Sequence, residues 1–182
     1  MNILSIGECI LDEIREHFLL LDFEQVSCLI SAIKNADRIY VLGAGRSKLI
    51  LSTFCMRLNH LGYEAYIVGE IPCPPSDSQS LIISATGSGT TGSIMNILEK
   101  QKTLGAHIFL ITANASKDFV WLTDSVLHVK APSSLMHDEK ESHQLMKSSF
   151  EQVVFLLLES IIAKLAEGIP EADIVARHTN LE

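Results

Sequence analysis

Two short turns hold the residues best suited to chemistry in this chain. The first is Gly43-Ala44-Gly45-Arg46-Ser47 and the second is Thr86-Gly87-Ser88-Gly89-Thr90-Thr91. Each ends an apolar run and opens a helical pattern. Glycines such as Gly45 and Gly87 let a backbone come close to a bound group. The first free amides of a helix then point at that group with the helix dipole behind them, which favours an anion. Ser47, Thr86, Ser88 and Thr91 add hydroxyl donors without adding charge, and Arg46 can reach a phosphate or sugar hydroxyls. A single turn of this kind is equally well explained by tight packing, but two in one sheet favour an anion site. The first turn has Lys48 where a dinucleotide fingerprint has its third glycine, and no G-x-x-x-x-G-K-[ST] loop occurs in the chain. A hydroxyl-rich turn suits one phosphate ester better than a pyrophosphate.

Acid–base candidates are few. Glu151 stands where a polar segment runs into an apolar helix. There it can complement the helix dipole, or it can act as a carboxylate whose pKa partial burial raises toward neutrality. His178 lies in a polar tail too short to fold alone. It is either solvated or packed on another surface, where it can serve as acid or base in a neighbouring copy's site. His60 falls about 21 Å along a helix from Arg46 at 1.5 Å per residue, too far to serve the same site. Glu70 follows a strand, where ligand loops form, and suits either a sugar hydroxyl or a loop salt bridge. His137 and His143 belong to a polar loop, as pocket lining or as surface. Phe54 and Met56 read as core. The four cysteines are widely spaced and fit no zinc site.

These residues must be positioned by alternating strands and helices. Two amphipathic helices fill residues 1–36, the second capped by Asp22. Strands are expected at Arg38–Leu42, Tyr63–Val68, Leu81–Ala85, Ala106–Thr112 and Ser125–Val129. Helices are expected at about Ser47–Leu61, Thr91–Leu104 and Ser148–Glu167, with a short one near Lys117–Leu122 and one helical turn opening the tail, 171–182. Ala131–Lys147 reads as a polar loop. Several strands are apolar throughout, as in a parallel sheet covered on both faces. The pattern predicts one α/β domain over 1–182, a doubly wound sheet of about five mainly parallel strands flanked by helices. Ligand loops belong at the carboxyl ends of those strands.

Composition sets the outer bounds. The formal charge of −8 argues against a nucleic-acid or anionic-membrane surface, because both need clustered basic residues. Cys9, Cys28, Cys55 and Cys73 form no C-x-x-C pair and suit a reducing compartment. Charged residues interrupt the first apolar stretch, so no signal peptide is read and a cytoplasmic location is expected.

Over nearly its whole length the sequence resembles the sugar isomerase (SIS) domain family, and within it the 6-phospho-3-hexuloisomerases. The resemblance rests on GAGRS at 43–47, MRLNHLGYEAYIVGE at 56–70, GSG at 87–89, SSFEQ at 148–152 and RHTNLE at 177–182. It implies an SIS fold, no metal or organic cofactor, and dimers or tetramers with active sites near subunit interfaces. It also implies interconversion of D-arabino-hex-3-ulose 6-phosphate and D-fructose 6-phosphate through a cis-enediol. Matched by position, Ser47, Thr86, Ser88 and Thr91 hold the phosphate, and Glu151 is the base. Thr90 departs from the family's usual glutamate, Thr86 from its usual serine, and Leu145 and Lys147 from a Pro- and Gly-rich approach. Two alternatives stand behind this first reading: an isomerase of another sugar phosphate, or a non-catalytic module that senses one.

Overall fold

The computed structural model describes residues 2–116, 121–133 and 142–180. Two helices come first, α1 (Ile3–Leu19) and α2 (Phe23–Asn35). Asp22 caps α2, accepting the Glu24 N–H at 2.9 Å and the Gln25 N–H at 3.3 Å. Then follow β1 (Arg38–Gly43), α3 (Gly45–His60), β2 (Ala65–Ile67), β3 (Ser80–Ala85), α4 (Gly92–Thr103), β4 (His107–Thr112), β5 (Ser125–His128), α5 (Ser149–Leu165) and α6 (Glu171–Ala176). A tight turn at Leu145–Lys147, not expected from the sequence, precedes α5. β2 is shorter than its apolar run, because Tyr63 and Glu64 fall outside it and only Ala65–Ile67 pair with β1. The helix expected near Lys117–Leu122 lies largely outside the described residues, as does His137.

All five strands are parallel, in the order β2-β1-β3-β4-β5. The chain leaves β1 toward one edge and returns to lay β3 on its other side. The order therefore reverses between β1 and β3, and a crevice opens at their carboxyl ends. Alternate residues explain why the strands are apolar throughout. Ile39, Val41, Leu81, Ile83, Phe109 and Ile111 pack toward α1, α2, α3 and α5. Tyr40, Leu42, Ile82 and Ile108 pack with Ile94 and Leu98 of α4. Val153, Val154, Leu157, Leu158 and Ile161 bury one stripe of α5, each contributing roughly 1.5–3 kcal/mol by leaving water. Phe54 belongs to this core, but Met56 does not: it is 47% exposed on the outer side of α3.

Gly43 sets how closely α3 lies on the sheet. A Cβ there would meet the Lys48 backbone nitrogen at 2.9 Å. The close helix–strand approach that a dinucleotide fingerprint obtains from its third glycine is achieved here at the strand's last residue, so Lys48 is tolerated.

Candidate active site

Both turns open on the same rim. Ala44, Gly45, Arg46 and Ser47 from the β1–α3 connection meet Ala85, Thr86, Gly87, Ser88 and Thr91 from the β3–α4 connection. Ser133 and Glu151 complete a cavity of about 330 Å³. The walls follow from the topology: α3 and α4 start here from adjacent strands, so the first free amides of two helices converge on one space. Gly45, at φ 54°, adopts the left-handed conformation that turns the chain from β1 into α3.

The hydroxyls are held ready. Ser47, Thr86 and Ser88 are buried. Thr86 Oγ1 lies 3.2 Å from Thr91 Oγ1 and accepts the Gly89 N–H at 3.3 Å. Ser88 Oγ accepts the Thr90 N–H at 3.2 Å. Asn114 fixes the turn from behind, its Nδ2 donating to the Ser88 carbonyl at 2.8 Å. Thr90, the departure from the family's glutamate, is exposed and does not line the cavity.

Glu151 sits in the first turn of α5 and forms the far wall. Burial pushes its carboxyl above the ordinary glutamate value, while its own backbone N–H and the charge of Arg46 moderate the rise. The site thus combines neutral donors, one guanidinium and a half-buried carboxylate. Such a set can bind a phosphate ester at one end and exchange a carbon-bound proton at the other.

Ser133 was not legible as a site residue, since it lies in a segment that reads only as polar loop. It is buried at 3% exposure, packs against Gly87 and lines the cavity. The Pro132 carbonyl accepts the Phe150 N–H at 3.1 Å, tying this segment to the helix that carries Glu151.

Other candidates are placed elsewhere. Glu70 does not line the cavity; its carboxylate pairs with Lys48 Nζ at 2.5 Å, the loop salt bridge. His143 does not line it either, and its backbone N–H donates to Glu13 Oε2 at 3.2 Å. His178 stacks on His60 at the far end of α3, with ring centroids 5.1 Å apart. Burial, His178 and Arg57 together lower the His60 pKa. Since α3 starts at the cavity and runs away from it, both histidines lie at the opposite rim and cannot reach Glu151 of the same chain. A second cavity, of about 410 Å³ and lined by Cys28, Asn35, Ser78 and His107, also opens at the amino ends of the strands. Among the described residues that line it there is no carboxylate.

Comparison with known proteins supplies the lineage. Residues 32–158 match the family model of the SIS domain. The 3-hexulose-6-phosphate isomerase of Mycobacterium gastri is 34% identical over 173 residues, covering 94% of this chain and 87% of that protein. The enzyme of the same name from Bacillus subtilis (strain 168) is 32% identical, covering 95% of both. A hypothetical protein from Methanococcus jannaschii, whose crystal structure was held to infer a molecular function of 3-hexulose-6-phosphate isomerase, superposes with a TM-score of 0.82. It is 28% identical, with 94% of this chain and 98% of that one covered.

Proposed function

The chain belongs to the SIS domain family, and from that premise we propose that it is a sugar-phosphate isomerase interconverting D-arabino-hex-3-ulose 6-phosphate and D-fructose 6-phosphate. One observation carries the reading: a single cavity gathers the hydroxyls and amides of both turns and, facing them, a carboxylate whose pKa burial raises. Gly45, Arg46, Ser47, Thr86, Gly87, Ser88 and Thr91 hold the phosphate. Glu151 takes the proton from the carbon beside the carbonyl, passing through a cis-enediol, and returns it to the neighbouring carbon. A carboxylate of raised pKa suits both halves of that shuttle.

His178 can act only in trans, in the site of a second copy. Exposed apolar residues on α1 and α5, among them Ile3, Leu4, Leu11 and Leu156, support assembly of such copies. Glu70 pairs with Lys48, which follows the cavity-lining Ser47 on α3, and can contact sugar hydroxyls there or across such an interface.

The test is isotope exchange. The native protein should carry solvent deuterium into fructose 6-phosphate while forming its 3-keto isomer. Glu151→Gln should abolish exchange yet still bind the sugar phosphate. Binding by the native protein without exchange would overturn the enzyme reading in favour of a sensor.

A further inference from the structure

The reading above leaves open what fixes Glu151. The turn that leads into α5 is not relaxed: Met146 and Lys147 both have positive φ, 56° and 49°, a region that costs a non-glycine residue of order 1–3 kcal/mol and persists only where surroundings enforce it. The usual N-terminal anchor is also missing, because Ser148, at the N-cap of α5, makes no capping hydrogen bond. The Pro132 carbonyl holds the Phe150 N–H, and a second group holds the turn that precedes it.

That group comes from α1. Glu13 Oε1 accepts hydrogen bonds from the hydroxyl of Ser149 and, at 2.7 Å, from that of Ser142, while Oε2 accepts the His143 N–H at 3.2 Å. Gln144 links the partners to one another. Its N–H donates to Ser142 Oγ at 3.1 Å, its Nε2 to Ser149 Oγ at 3.2 Å, and its Oε1 accepts from Ser148 Oγ at 3.4 Å. Gln144, Ser148 and Ser149 are all buried. One carboxylate from the N-terminal helix therefore gathers three donors on both sides of the turn, two residues before Glu151.

We propose that Glu13 is a positioning residue for the isomerase site, a latch from α1 that holds the 142–149 turn so that the carboxylate of Glu151 meets the bound sugar. It does not line the cavity and acts only through Ser142, His143 and Ser149. Burial alone would raise its carboxyl. The hydrogen bonds from Ser149, Ser142 and the His143 N–H, with His17 nearby, instead hold it below the usual range, so it is ionised at neutral pH.

The proposal rests on the isomerase reading for its kinetic arm only. In Glu13→Ala, kcat should fall about tenfold to a hundredfold, the range that a misplaced group of ångström scale produces. KM for fructose 6-phosphate should stay within about threefold, because the phosphate turns are built from other elements. Glu13→Gln retains one acceptor oxygen but sets an amide NH2 against the His143 N–H, so it should recover part of the lost kcat. Backbone amides 142–150 should exchange hydrogen faster in Glu13→Ala while those of Thr86–Thr91 keep their protection. Unchanged kcat in Glu13→Ala would overturn the latch, as would KM rising in step with the fall in kcat, or exchange rates unaltered at 142–150. Should Glu13→Ala fail to fold, Glu13→Gln and Ser149→Ala decide by the same two measurements. A native protein with no isomerase activity would sink the functional reading, and amide exchange would still decide the latch.

Discussion

Replacing Gly87 by alanine tests how the cavity is assembled. Its φ lies outside the left-handed region, so alanine brings no backbone penalty there and the effect is purely one of space. The new Cβ would lie 2.8 Å from Ser133 Cβ and 3.4 Å from Phe150 Cδ1, and closer still to Ser133 Oγ. The hydroxyl can rotate away, but Ser133 Cβ must retreat by about 0.7 Å to restore ordinary carbon contact. Ser133 cannot retreat alone, because the adjacent Pro132 carbonyl holds the Phe150 N–H at 3.1 Å. Overpacking of this kind costs about 1–3 kcal/mol. The displaced turn should also weaken sugar-phosphate binding by about tenfold per 1.4 kcal/mol lost there. Ser133→Gly removes both clashing atoms, so the double variant Gly87→Ala/Ser133→Gly should regain most of the stability lost in Gly87→Ala, with a favourable coupling of about 1–2 kcal/mol. Urea denaturation gives the stabilities and titration calorimetry with fructose 6-phosphate gives the affinities. Additive effects in the double variant, or a Gly87→Ala protein indistinguishable from wild type, would refute the packing argument.

Two further predictions concern Glu151. Burial raises its folded pKa above the unfolded value, so the folded state binds the extra proton more tightly and stability is lost as pH rises through that window. Glu151→Gln should therefore be more stable than wild type in thermal melts at neutral pH, with the gap closing below about pH 4, where both states are protonated. A gap that widens on acidification would reverse the assignment. Arg46 pulls the same carboxyl down, so Arg46→Gln should move the acidic limb of kcat/KM to higher pH. It should also raise KM for the phosphate ester about tenfold to a hundredfold, as loss of a hydrogen bond to a charged group does. A pH profile with its limb unmoved would separate Arg46 from Glu151.

The architecture was legible because its signals are local. Apolar runs ended by glycine turns fix β1 and β3, Gly105 marks where α4 stops and β4 begins, Asp22 marks the start of α2, and strands apolar on both faces require helices on both sides. Strand order is not local, yet both glycine turns follow strands that become neighbours, so they share one rim. What could not be read is contact across the sequence. Ser133 and Glu13 are ordinary polar residues in their own segments, and their partners Gly87 and Ser149 are 46 and 136 positions away. Glu70 shows the same dependence on contact across the sequence. Its place after a strand is that of a ligand residue, but Lys48, one turn into α3, reaches it first.

The chemistry explains why an acidic chain would hold a phosphate with almost no cationic side chains. Among the described residues that line the cavity, Arg46 is the only lysine or arginine; the other donors there are hydroxyls and amides. A ring of ammonium groups would bind the phosphate more strongly, but it would also favour the ionised form of the nearby carboxylate and lower its pKa. A base depressed in that way loses driving force for taking a proton from carbon. Neutral donors at two helix N-termini avoid the conflict, because their partial charges fall off within the first turn of each helix. In the proposed complex, the phosphate would add negative charge and push the Glu151 carboxyl further up. Substrate binding and basicity then reinforce one another, with Arg46 setting the balance between them. Adding a second cation, as in Ser47→Lys, should therefore tighten phosphate binding while lowering kcat.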